Sequence, residues 1–230
     1  MARSIPWTRS FGWCHSVRVL ALDTTSEQGS LALWEGDHIV EEVAVVAPDG
    51  FAQLLFPAIE KLLQRSAWTL PQIDLFAAAS GPGSFTGVRV GLAAIKGLAE
   101  ATGRPAQAVS NLQAIASLGT GLLRMPLINA RRGEAYVGLD SSDKRLVDAE
   151  RAGVLDSLLS GRPPNVELIA RESWPELAAT GALVQIDGRP LASLVARLAI
   201  RVGGVDPAGL DANYVRRSDA DGRWHDSAAL

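Results

Sequence analysis

Short uninterrupted apolar runs alternate along this chain with longer stretches in which apolar residues return every three or four positions, and the two patterns predict different elements. Residues 17–23, VRVLALD, form a β-branched apolar run that stops at a carboxylate and the small polar residues TTSEQG, as a buried strand ending in a turn should. SLALW (30–34) and HIVEEVAVV (38–46) flank the turn EGD, where Gly36 and Asp37 suit a tight hairpin. The first three strands are therefore expected as an antiparallel meander. Phe51, Leu54, Leu55, Ala58, Ile59, Leu62 and Leu63 then recur at helical spacing, predicting an amphipathic helix over 51–64. Pro57 lies inside that span and should kink it, because its ring offers no N–H to the Gln53 carbonyl. IDLFAAAS (73–80) reads as a buried strand, and residues from Thr86 to Thr102 as a second helix. The order is βββαβα.

A similar order recurs. A short helix over 111–118, opened by Ser110 with Gln113 three residues on as a capping box, is followed by strands near 125–129, 134–139 and 145–150. A helix near 153–159, a strand near 166–170 and further helical stretches ending with 190–202 complete it. The fold class expected is α/β, with two duplicated βββαβα lobes in the manner of the actin-like (ribonuclease H-like) fold. The expected division is an N-terminal extension (1–16), a first lobe (17–106), a second, reduced lobe (107–217) whose last helix can pack on the first, and a polar tail (218–230).

Composition narrows the function classes. The chain has 230 residues and a formal net charge of -3, which gives no general basic footprint for nucleic acid. No apolar run approaches the ~20 residues that cross a bilayer, and Cys14 has no second cysteine to pair with. A cytoplasmic protein is expected. Residues 1–16 mix Trp, Arg, Ser and Pro without period, as an extension before the first strand or an ordered arm would.

Two features carry candidate chemistry. The first is the loop SGPGSFTG, between a strand and a helix N-terminus. There Gly81, Gly83 and Gly87 permit close backbone approach and Ser84 and Thr86 can cap the first turn. With Asp23, Thr24 and Thr25 at the end of the first strand, these residues form a candidate nucleotide or anion site. The loop matches neither the P-loop nor the dinucleotide pattern, so a structural turn remains the alternative. The second feature is the helix behind the loop. Val88, Gly91, Leu92, Ile95, Leu98 and Ala99 form one stripe that fits a sheet. Val90, Ala93, Ala94, Gly97 and Ala101 form another, made almost wholly of small residues that let a second helix come close. That stripe either packs on helix 51–64 or joins Leu54, Leu55, Ala58 and Leu62 in a face for another subunit. Phe56, off the main stripe of its helix, favours the second option.

Three segments together, ALDTTSEQGSLALW, GPGSFTGVRVGLAAIKGLA and NARRGEAY, resemble the TsaB (YeaZ) family, which belongs to the glycoprotease-like branch of the actin-like superfamily. The resemblance runs from Val17 to NYVRRSDA, and its Gly-Pro-Gly-Ser-Phe-Thr-Gly-Val-Arg block is the specific part. It implies a subunit that is not itself the catalyst, with no intrinsic cofactor or metal. Such a subunit binds TsaD, the metal-bearing transferase that completes threonylcarbamoyladenosine beside the anticodon of tRNAs reading ANN codons, through the two helices of the first lobe. The resemblance also implies association with the ATPase TsaE, self-association through the same helices, contact with tRNA only through the complex, and ATP or ADP at the partner interface. This chain departs from the family pattern at Phe51, where relatives commonly carry His, and at Asn129, where they carry Asp.

Rival chemistries have less to stand on. An actin-like phosphotransferase would use Asp23 near a metal-bound phosphate, but Asn129 stands where a second acidic loop is needed and VGGVDPAG (202–209) fits a helix stop as well as an adenosine loop. A zinc peptidase needs clustered ligands, and His15, His38 and His225 are scattered. Arg131–Arg132 and Arg216–Arg217 could meet tRNA phosphates, though ordinary surface ion pairs explain them better.

Overall fold

The computed structural model describes residues 16–141 and 148–215; Cys14, His15, Arg216–Arg217, His225 and the polar tail lie outside the described residues. Two five-stranded sheets carry the fold. The first is built from β1 (Arg18–Asp23), β2 (Gln28–Glu35), β3 (His38–Val46), β4 (Leu75–Ala79) and β5 (Ala106–Val109), in the order β3-β2-β1-β4-β5. The second uses β6 (Leu123–Arg131), β7 (Glu134–Ser141), β8 (Asp148–Val154), β9 (Glu167–Ala170) and β10 (Val184–Ile186), in the order β10-β9-β6-β7-β8. Numbered from its own first strand and read from the other edge, the second sheet repeats the order of the first. In each, an antiparallel meander is extended by strands that pair in parallel beyond the first one. This is the duplicated actin-like layout.

Helices fill both faces of the first sheet. Helices α1 (Leu55–Arg65) and α2 (Phe85–Thr102) cover one side, where Leu20, Leu22, Leu31, Leu33 and Phe76 meet Ile59, Leu62, Leu92 and Ile95. On the other side Val19, Ala21, Ala77 and Ala79 pack on Val195, Ala196 and Ala199 of α6 (Ala192–Val202) and on Ala114 and Ile115 of α3 (Asn111–Ala116). The alternation along β1, with Leu20 and Leu22 up and Val19 and Ala21 down, is the period-two rule of a strand buried on both faces. Each fully enclosed Leu, Ile or Phe contributes about 1.5–3 kcal/mol. Ile169 of β9 joins the α3–α6 cluster, so these two helices lie between the sheets. Helices α4 (Leu155–Ser160) and α5 (Pro175–Ala179) cover the far side of the second sheet through Leu155, Leu158 and Leu177, against Leu127, Val137 and Leu168.

Three differences from the sequence pattern have plain causes. First, α1 begins at Leu55 rather than Phe51, because residues 51–54 form a turn that buries Phe51 and ends at Leu54. Pro57 therefore sits in the first helical turn, where its missing N–H has no ladder partner to lose, and the expected kink has no basis. Second, β5 has only four residues with Gln107 among them, so periodicity is silent about it. Parallel pairing with β4 holds it in place. Third, β10 lies within a stretch read as helical, and pairing with β9 decides it.

Beyond α6 the chain returns to the first sheet. Ala106 and Val205 exchange backbone hydrogen bonds of 3.0 and 2.9 Å, and the Asn213 N–H donates to Ser80 O at 2.8 Å. Residues 205–213 thus run back along the first sheet to the loop that launches α2.

With Pro57 in the first turn, Pro57→Ala should change the unfolding free energy by less than about 1 kcal/mol, against about 3 kcal/mol gained if the ring broke a helix interior. Urea unfolding of the two proteins measures it.

Candidate functional site

The two sequence features meet at the carboxyl end of β1. Asp23 is completely buried, and its Oδ1 accepts from the Thr25 N–H at 3.0 Å and from the Thr25 hydroxyl at 2.6 Å. The Thr25 hydroxyl oxygen in turn accepts from Asn111 Nδ2 at 2.6 Å, and Asn111 Oδ1 accepts from the Gly81 N–H at 3.1 Å. The other carboxylate oxygen, Asp23 Oδ2, faces Arg171 Nη1 at 3.5 Å across from the second lobe. Burial pushes the Asp23 carboxyl above the ordinary aspartate range, opposed by the Thr25 hydrogen bonds and by the positive charge of Arg171.

The glycines of the loop do not leave an open cradle. A Cβ on Gly83 would stand 2.5 Å from Thr25 O, and one on Gly87 would stand 1.9 Å from Thr24 O. The Ser84 N–H donates to Thr25 O at 2.7 Å, and the Thr24 hydroxyl donates to Gly87 O at 2.7 Å. The absent side chains make room for the 24–25 backbone of the same molecule. Ser84 caps α2 by accepting from the Gly87 N–H at 3.2 Å, whereas Thr86 stands exposed and caps nothing. Ser110 caps α3 by accepting from the Leu112 and Gln113 N–H groups, as its place before the helix suggested.

The outer face of the two helices divides the residues singled out by spacing. Leu55, Leu62 and Ala94 are buried in the first lobe's core and cannot meet a partner. Leu55, Ile59 and Leu62 share the one stripe of α1 that lies on the sheet, and Ala94 follows Gly91 on the buried side of α2. Ala93, Gly97 and Ala101 are exposed, Val90 and Ala58 are half-buried, and Leu54 is 44% exposed. Phe56 at 54% and Phe85 at 45% add large apolar surface on the same side of the sheet.

Sequence reasoning did not assemble one cluster at the head of α2. The Arg89 guanidinium lies 3.7 Å above the Phe85 ring, and Arg89 Nε donates to the Tyr214 hydroxyl at 2.9 Å. The rings of Phe85 and Tyr214 are 5.5 Å apart. Phe85 and Arg89 are one helical turn apart and could have been paired, but Tyr214 lies 125 positions beyond Arg89 and no local signal reports it.

Asn129 accepts from the Arg131 N–H at 2.7 Å within the β6–β7 turn, a structural use of the side chain. His38 pairs with Glu35 across the β2–β3 hairpin and its ring meets Asp37, and among the described residues no group of three His, Cys, Asp or Glu side chains converges. A groove of about 830 Å³ at the outer edge of the second sheet, lined by Pro163, Pro164, Leu168 and Leu183 among others, shares no residue with the Asp23 cluster. No helix among the described residues is long and apolar enough to cross a membrane.

Residues 44–158, which include α1, the Gly-rich loop and α2, match the family model described as TsaD: tRNA N6-adenosine threonylcarbamoyltransferase. The tRNA threonylcarbamoyladenosine biosynthesis protein TsaB of Escherichia coli is 33% identical over 189 residues, 76% of this chain and 81% of that protein. The chain belongs to the TsaB family. The Bacillus subtilis protein of the same name is 28% identical over 228 residues, covering 91% of this chain and 98% of that one. The solved structure of YeaZ from Pseudomonas aeruginosa superimposes with a TM-score of 0.69 at 25% identity, covering 86% of this chain and 99% of that one. Membership thus extends over both lobes.

Two consequences can be measured. Gly87→Ala drives a methyl into the Thr24 carbonyl and should destabilise the fold by about 2 kcal/mol or more, read as a lower urea midpoint. The raised Asp23 carboxyl gives a stability contribution present below the ordinary carboxylate pKa and lost as pH rises through the higher folded value. Wild type should therefore lose ground against Asp23→Asn as pH increases from about 4, in unfolding curves taken at successive pH values.

Proposed function

We propose that this chain is a non-catalytic scaffold subunit in the synthesis of threonylcarbamoyladenosine in ANN-decoding tRNAs. It binds the transferase TsaD through the outer face of α1 and α2. The observation that carries the reading is the row Ala93, Gly97 and Ala101, exposed along α2, with Leu54 and Phe56 exposed at the start of α1 over the same face of the first sheet. Small residues admit a second helix pair at close range, and the flanking large apolar groups supply area to bury. The match of the transferase family model to residues 44–158 adds a physical reason for the choice of partner. A transferase related to this chain over that span carries its own version of the helix pair, so the two faces can meet about a pseudo-twofold axis, and two copies of this chain can meet in the same way.

The chain works in the cytoplasm, touches tRNA through the complex, and shares that complex with TsaE. ATP or ADP, where it binds, is held with the partner rather than by this chain alone. Asp23 already commits Oδ1 to two hydrogen bonds from Thr25 and keeps Oδ2 buried opposite the Arg171 guanidinium, and the loop that would cradle phosphate is packed on Thr24 and Thr25. The same geometry counts against an actin-like phosphotransferase.

Reconstitution tests the reading. The chain is combined with TsaD, TsaE, the adenylate-forming enzyme, ATP, bicarbonate, threonine and tRNA, and modified nucleoside is measured with and without it. Product should depend on the chain, and Ala93→Arg, which places a long charged group in the small-residue row, should lower affinity for TsaD by about 100-fold or more while the variant stays folded. Equal product without the chain, or ATP turnover by the chain alone, would defeat the scaffold assignment.

A further inference from the structure

The segment after α6 links three parts of the fold. Asn213 reaches three places: its N–H donates to Ser80 O at 2.8 Å, its Nδ2 donates to Gly81 O at 3.4 Å, and the same Nδ2 donates to Glu150 Oε2. Glu150 belongs to β8 of the second lobe, and its other oxygen accepts from Ser110, the cap of α3. The next residue, Tyr214, is 49% exposed and holds Arg89 through its hydroxyl. Arg89 is thereby fixed above Phe85, with its Nε used and no hydrogen bond to its two terminal nitrogens among the described residues. A guanidinium laid on an aromatic ring, with its outer edge open, is arranged to meet a planar carboxylate with two parallel hydrogen bonds.

We propose that residues 212–214 are a strap that builds part of the partner face: Tyr214 sets Arg89 on Phe85 to receive a carboxylate side chain of the partner protein, and Asn213 ties that anchor to Glu150 of the second lobe. This rests on the scaffold reading above and deepens it. A protein carboxylate is favoured over an RNA phosphate because the anchor is continuous with the exposed row Ala93, Gly97 and Ala101 on the same helix, and a net charge of -3 offers no wider basic track for RNA. Arg89 is then a binding residue, and Tyr214 and Asn213 position it.

The test uses the full chain and the purified transferase of this family from the same genome, with calorimetric Kd values. Arg89→Gln should weaken binding about 30-fold. Arg89→Lys should recover little of that, because a point charge replaces neither the fork nor the stacking. Tyr214→Phe keeps the ring and removes only the hydroxyl, and should weaken binding by about three- to tenfold with an unchanged thermal midpoint. Binding within twofold of wild type for both Arg89→Gln and Tyr214→Phe, while Ala93→Arg abolishes it, would overturn the strap and leave the helix face standing. Losses at Arg89 and Tyr214 with Ala93→Arg still binding would keep the anchor and discard the small-residue row. Arg89→Gln losing affinity for a tRNA but not for the transferase would assign Arg89 to phosphate and also overturn the proposal. If Arg89→Gln fails to fold, Tyr214→Phe alone decides, with the same twofold limit.

Discussion

The first turn of α2 lies directly on the backbone of Thr24 and Thr25, and the placement of that helix on the first sheet depends on the contact. A Cβ at Gly87 would sit 1.9 Å from the Thr24 carbonyl, so only glycine lets the helix come down to this depth. The contact fixes where α2 starts and how it is rolled, and so which of its residues face the sheet and which face outward. One close approach thus sets the depth and the roll of the helix together.

Polar groups stabilise the same junction from behind. The chain of hydrogen bonds from Asp23 through Thr25 and Asn111 to Gly81 satisfies buried donors and acceptors that would otherwise each cost about 1–3 kcal/mol. Arg171 and Glu150 reach this region from the second lobe, one to Asp23 and one to Asn213 and Ser110. The second lobe therefore bears on the head of α2 without contributing to its outer face. The second lobe thus braces the loop and the cap from which α2 starts.

Much of this was legible along the chain. Period-two and period-3.6 patterns located the meander, both long helices of the first lobe and the repeat of element order, because buried strands and amphipathic helices write their burial into nearest-neighbour spacing. The small-residue stripe on α2 was visible for the same reason. Its partition was less so: Ala94 sits one step around the helix from Ala93, and whether a residue of that size faces core or solvent depends on a helix roll that a methyl group cannot signal. Leu55 and Leu62 lie in the core with Ile59 while Leu54 and Phe56 stand exposed, a division within one apolar run that depends on which side of α1 the sheet takes.

The sequence alone determined the fold class, the family and the two long helices of the first lobe, since each rests on local pattern or on a contiguous block such as GPGSFTGVRVG. Tertiary structure alone decided three further things: that Gly83 and Gly87 come down on the backbone of Thr24 and Thr25, that Asp23 faces Arg171, and that Tyr214 stands over the head of α2. Each is a meeting of residues far apart in the chain, between 58 and 148 positions, and spacing arguments reach only as far as one helix or strand. What joins such residues is the order of strands in two sheets and the path of the segment beyond α6, set by backbone pairing and core packing rather than by any signal at the residues themselves.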